Sequence, residues 1–331
     1  CARQVHRSET GKAFWQLWQE RRSEKRRPRL GSLGLDFDGT WRLGERARVV
    51  WKAWEIRSIE AELGRPIDTN EPFGILRQFV DQATPDLEAI ETALERSHSQ
   101  FPIRYEDNAG ALLPHLSELK WLARMFTFRA HIHLVAGEPA SALKDILTSL
   151  RLADTIRTEP VLVSQLVRQA MLNMAMQPVW EGLEARVWTA EQIAHLQARL
   201  ASADVLAGYQ LAMRGERTFA LDLADIVERE RNFATIGSAN APNYYPPSEQ
   251  LRDKLINYAP RGWYLHNKAF MARLHTEVSV PAADPVNHRV YLDRVRDYDA
   301  ELIDALKDDT RLFIARLVLP EVGKAAIRAA A

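Results

Sequence analysis

The most constraining stretch of this sequence runs from Glu159-Pro160 towards Gly182. It carries Val161, Leu162, Leu166, Val167, Ala170, Met171, Met174 and Ala175, apolar around most of the circumference of an α-helix. A helix with so little polar surface must be covered on several sides, which predicts a central rod with other helices packed around it. Two more helical patterns precede it within the stretch Ala109 to Gly182. In the first, Leu112, Leu116, Leu119, Ala123, Phe126, Ala130 and Leu134 recur three and four apart. The second places Leu143, Ile146, Leu147, Leu150 and Ile156 on one side and Lys144, Asp145, Thr148, Arg151 and Asp154 on the other. Gly137-Glu138-Pro139 ends one helix and starts the next, since Gly closes a helix and Pro fits a first turn.

The rest of the chain extends this pattern. Residues 10–27 read as helical, with Phe14, Trp15, Leu17 and Trp18 setting the apolar side. A basic run overlaps its end: Arg21, Arg22, Lys25, Arg26, Arg27 and Arg29, against the single acid Glu24. Residues 30–44 read as a Gly-rich loop, and Trp51, Trp54 and Ile59 belong to a further helix ended by Gly64. Thr84-Pro85 reads as the N-cap and first turn of a short helix. After Gly182, Thr189-Ala190-Glu191-Gln192 has the form of a capping box and opens a helix to about Leu200. Another helix is expected from Asp204 to Arg231. A long aromatic break then covers Gly237 to Gly262, helices resume near Trp263 and again from about Tyr291, and residues 278–290 read as linker. The chain ends within an Ala-rich apolar pattern without a stop signal, so the natural protein is expected to continue. The expected architecture is all-α: antiparallel helical hairpins, in a helical-repeat solenoid or an irregular bundle. The expected division is an N-terminal arm with its basic run over 1–108 and a helical core over 109–331.

Composition narrows the function. Lys plus Arg and Asp plus Glu number 44 each, which argues against a general nucleic-acid binder. No apolar run approaches the ~18 residues that span a bilayer. The single cysteine, Cys1, excludes an internal disulfide framework and a Cys-based metal site.

Candidate chemistry is sparse. His131 and His133 lie two apart on a helix and point to different sides, as do His266 and His275 nine apart, so no metal site is expected. No cofactor motif occurs, and no cofactor is expected. Asp222, Asp225 and Glu228 share a helix face in the 214–230 segment, where carboxylates share a metal, act as an acid/base pair or, more often, form ion pairs on a wet surface. That face, together with Tyr244 and Tyr245 and with Arg261-Gly262-Trp263-Tyr264, is the expected partner-binding groove; Arg214, Arg217, Arg261, Trp263 and Tyr264 are its anchors beside the two loop tyrosines. The basic run 21–29 would favour an anionic surface, either lipid headgroups or RNA phosphate, or is a solvated helix end.

Four resemblances rest on these residues. The N-terminus Cys1-Ala2 resembles a mature bacterial lipoprotein, which implies a lipid on Cys1. Asp36-Phe37-Asp38-Gly39-Thr40 resembles the first motif of haloacid-dehalogenase-type phosphatases, implying Asp36 as nucleophile and Asp38 as general acid. The residues before it do not form the buried strand that motif needs, and Lys307-Asp308-Asp309 is only a faint echo of a downstream acidic motif. Phe126 to about Thr155 resembles one tetratricopeptide hairpin, with Arg129 where an apolar residue is usual and no 34-residue recurrence. Finally, Ala136-Gly137-Glu138, Ser164-Gln165-Leu166-Val167, Met213-Arg214-Gly215-Glu216-Arg217, Pro260-Arg261-Gly262-Trp263-Tyr264 and Leu319-Pro320-Glu321 resemble uncharacterised, N-terminally membrane-anchored bacterial envelope proteins. That implies a location in the cell envelope, periplasmic or membrane-attached. The function expected is a non-catalytic scaffold or protein-binding subunit. The alternative is a hydrolase using the carboxylates of the 214–230 helix or the Asp36/Asp38 pair.

Overall fold

The computed structural model describes residues 72–231 and 258–294, together with positions 296, 309, 311, 312, 314 and 315. Cys1, the basic run Arg21 to Arg29, Asp36, Asp38, Tyr244 and Tyr245 lie outside the described residues. The described chain is all-α, built from helical hairpins. Its helices are α1 (Pro72–Ala93), α2 (Pro114–Val135), α3 (Pro139–Asp154), α4 (Leu162–Glu184), α5 (Ala190–Ala201), α6 (Val205–Glu230) and α7 (Arg261–Leu274). No described helix is long and apolar enough to cross a membrane. The described residues fall into two compact units. The first holds α1, α2 from His115, α3, α4 from Arg168, and α5; the second holds residues 103–114, 157–167 and everything from Asp204.

In the first unit, the turn between α2 and α3 follows from its sequence. Gly137 adopts φ 77°, and the Glu138 and Gly137 N–H groups bond the carbonyls of His133 and Leu134 at 2.8 and 3.1 Å. This is the Schellman closure that a glycine just past a helix allows. Leu112, expected on the α2 core face, lies before the helix and is exposed. The α4–α5 turn closes in the same way, with Arg186 in the left-handed region. Thr189 then caps α5: its hydroxyl accepts from Gln192 N at 3.2 Å, and the Gln192 side chain accepts from Thr189 N at 2.9 Å. Thr189→Ala is expected to cost about 1 kcal/mol, read as a lower midpoint in urea unfolding.

Two sequence expectations change here. Thr84-Pro85 does not start a helix, because α1 runs through Pro85. The Thr84 hydroxyl instead donates to the Val80 carbonyl at 2.9 Å, a local bond that lets a helix tolerate the disturbed turn around a proline. Gly182 lies inside α4. A Cβ there would stand 2.3 Å from the Trp188 indole, whose N–H donates to the Val179 carbonyl at 3.0 Å. The missing side chain is therefore the seat of Trp188. The expected rod, α4, is buried along most of its circumference, but Asn173, Gln177 and Trp180 form an exposed stripe.

The second unit centres on α6 and α7. Ala220, Ala224 and Val227 of α6 pack with Tyr264, Phe270, Met271 and Leu274 of α7, and with Leu312, Ile314 and Ala315. Each large side chain buried this way contributes roughly 1.5–3 kcal/mol. Buried Asn267 binds the 311–315 segment. Its carbonyl accepts from Ile314 N (3.1 Å) and Ala315 N (3.0 Å), and its amide donates to the carbonyls of Trp263 (2.8 Å) and Arg311 (2.5 Å). Gly262, expected as the end of the long break, lies in the first turn of α7, and Tyr258 shortly before it is helical; residues 237–257 lie outside the described residues. The expected linker is instead a π-helical turn, His275–Ser279, a 3₁₀ turn and a two-stranded antiparallel hairpin pairing Ala283 with Val290.

The N-terminus of α4 is held within this unit. The Glu216 carboxylate accepts from Leu162 N at 2.9 Å, supplying a partner for an N–H that the helix itself leaves unsatisfied. Burial raises the Glu216 pKa, and the Leu162 N–H only partly offsets this. Beside it, Gly215 lies so close to Pro160 that a Cβ would stand 1.7 Å from the Pro160 carbonyl oxygen.

Candidate functional site

A half-open groove of about 390 Å³ lies in the first unit, between α2 and α4. From α2 it is lined by Lys120, Arg124, Thr127, Phe128 and His131, which recur at helical spacing along one face. From α4 it takes Ala170, Asn173, Met174, Gln177 and Glu181. His131 meets Glu181 (3.1 Å) at the far end of both sets, so the two helices run in the same direction along the groove.

The groove is chemically graded from end to end. Lys120 and Arg124, one turn apart, make no ion pair among the described residues. The middle is walled by Phe128 and Met174, with Ala170 nearer the Lys120 end and the Asn173 and Gln177 amides at the exposed rim. The Thr127 hydroxyl is buried there and has no hydrogen-bond partner among the described residues. At the far end, His131 Nδ1 lies 2.6 Å from the Thr127 carbonyl, which can only accept, so Nδ1 carries a hydrogen. Nε2 then faces the Glu181 carboxylate at 3.1 Å.

The opposite face of α2 carries a buried ionic network. Arg129 donates from Nε to both Asp145 oxygens at 2.9 and 3.0 Å, and from Nη2 to Asp145 Oδ1 at 2.5 Å and to Glu91. Lys144 reaches Glu91 at 2.5 Å, and Glu138 joins His133 (2.7 Å) to Arg77 (3.1 Å). Burial works against the Arg129 charge, but the bonds to Asp145 and Glu91 outweigh it and hold the guanidinium pKa above its usual range. Asp145 and Thr148 are therefore not on a wet face of α3, as their place in the periodic pattern implies; both are buried. Asp154 is the second ionic junction, bound by Arg168 at 3.2 Å and Arg199 at 2.5 Å, which ties α5 to α3.

The residues singled out from sequence lie in the second unit. Arg214 is exposed and donates to Gln210 (3.3 Å), and Arg217 donates to the Thr276 hydroxyl (2.9 Å). Arg261 is exposed and pairs with Glu228 at 3.2 Å. Trp263 is half-buried against the α6–α7 core. Tyr264 is fully buried, its ring 4.8 Å beneath the Arg231 guanidinium and its hydroxyl 3.2 Å from Arg231 Nη1. Of the carboxylates, Asp225 pairs with Lys268 (2.6 Å), Glu228 with Arg261, and Asp222 is exposed. No group of three His, Cys, Asp or Glu side chains that could hold a metal occurs among the described residues. Asp309 is held by Arg311 at 2.7 and 2.8 Å and by His266 at 2.8 Å. The Arg311 bonds keep its carboxyl far below the ordinary range.

Sequence reasoning missed the groove. The signal for it is the stripe Lys120, Arg124, Thr127/Phe128, His131, which lies on one helical face beside the core face that the apolar periodicity picks out. No protein-family model, curated protein or solved structure matches the chain.

Proposed function

We propose that this protein is a non-catalytic binding subunit of the bacterial cell envelope, and that it holds a segment of another protein in the groove between α2 and α4. The observation that carries this reading is the groove itself: apolar walls, a polar rim and two cations without an ion pair among the described residues, on a scaffold of helical hairpins. Its lining mixes an apolar body with a few placed polar groups, as binding sites commonly do. Trp180, 63% exposed, continues the rim stripe of Asn173 and Gln177; tryptophan is enriched among the residues that dominate binding energy. The carboxylates of α6 that a hydrolase would use are mostly engaged in ion pairs or in holding a helix end, which favours the binding reading over the catalytic one.

A photo-reactive benzoylphenylalanine at Gln177, in the native host, is expected to give one discrete protein adduct. The same residue at Arg151, exposed on α3, is the control. Adducts at the two positions that do not differ, or turnover of a small molecule by the purified chain, would remove the reading. Recovery of the adduct in the envelope fraction tests the location.

A further inference from the structure

We propose that the groove takes an extended, acidic peptide segment, with its carboxylate on Lys120 and Arg124 and an apolar side chain against Phe128 and Met174. This rests on the protein-binding reading and adds the chemistry of the segment. Four ionisable side chains line the groove: Lys120, Arg124, His131 and Glu181. Glu181 and His131 face each other at one end, which leaves Lys120 and Arg124 without a carboxylate among the described residues. Two cations one turn apart on a helix repel each other modestly, and a bound anion relieves that repulsion while accepting charge-assisted hydrogen bonds.

The remaining lining selects a peptide over a simple anion. Between the cations and the His131–Glu181 pair stand the apolar wall and two side-chain amides, each able to donate to and accept from a backbone. From Lys120 to His131 the face is about 16 Å long at ~1.5 Å per residue, room for about five residues of extended chain. Charge places the acid at the Lys120 end, away from Glu181.

The test uses fluorescein-labelled pentapeptides with a central leucine and the full-length protein. One ends in a free carboxylate, one is amidated but carries an aspartate near that end, and one is amidated without an acid. At least one acidic peptide is expected to bind about tenfold more tightly than the neutral one, the scale of a hydrogen bond to a charged group. Comparison of the two acidic peptides tells a chain terminus from a side-chain carboxylate. The preference should vanish in Lys120→Gln/Arg124→Gln and persist in Lys120→Arg/Arg124→Lys. Equal binding of all three peptides, no binding of any, or a preference that survives the glutamine pair would overturn the proposal. A Gln177 adduct obtained alongside such a result would leave the broader binding reading standing, so the two failures are separable.

Discussion

Arg129→Met is expected to destabilise the first unit by about 3–5 kcal/mol, the cost of removing one partner from a buried ion pair. Asp145 is only 1% exposed and takes three of the Arg129 bonds, so the variant leaves a carboxylate in the core without its cation. Lys144 does not replace the arginine, because its ammonium is committed to Glu91 and its side chain is mostly in solvent. Urea unfolding followed by circular dichroism reads the loss as a lower midpoint. The double variant Arg129→Met/Asp145→Leu separates a lost contact from a stranded charge: it should recover at least about half of the loss, since an apolar pair of similar volume can replace a buried ion pair. A loss below about 1 kcal/mol in the single variant would mean that the pair is open to water in solution.

The second large effect is a dependence on pH that originates at His275. Its ring is fully buried, and neither nitrogen has a hydrogen-bond partner among the described residues. Burial, with a smaller contribution from the nearby Arg217 charge, lowers its pKa from 6.5 to about 4. The folded protein therefore keeps a neutral ring where the unfolded chain already binds a proton. Above pH 6.5 the two states agree and nothing is lost. As pH falls from 6.5 towards 4, the unfolded state gains protons that the native state refuses, and stability declines by up to about 3 kcal/mol. Below about 4 both states are protonated and this decline stops. In His275→Phe the gap in melting temperature between roughly pH 7.5 and pH 4.5 should shrink, because an apolar ring in that site has no charge to gain. An unchanged gap would place the acid sensitivity elsewhere.

Much of the helical frame is legible in the sequence, and the reason is local chemistry. Gly137-Glu138-Pro139, the Thr189–Gln192 box and the Asp204 cap, whose carboxylate accepts from Ala207 N at 2.8 Å, act within a few residues of themselves. Side chains whose meaning depends on distant partners are not legible. Gly215 is one residue in a helix until Pro160 is brought against it. Asp145 looks like surface because a charge on an amphipathic helix usually is; its burial is explained by Arg129, with His133 3.6 Å away. The same holds for the candidate site. The groove stripe of α2 alternates cationic, polar and aromatic residues, so no periodic rule separates it from an ordinary solvent-facing side; it becomes a site only where α4 runs beside it.

The bond between Glu216 and Leu162 N joins residues 54 apart in sequence. During synthesis at roughly 5–20 residues per second, the first turn of α4 is made about 3–11 seconds before the carboxylate that completes it. Over that interval the Leu162 N–H has only water, and the Pro160 carbonyl has no glycine to rest on. The nascent chain thus passes through a stage in which the apolar helix α4 exists with an open end, and that is a stage at which a chaperone would find much to hold.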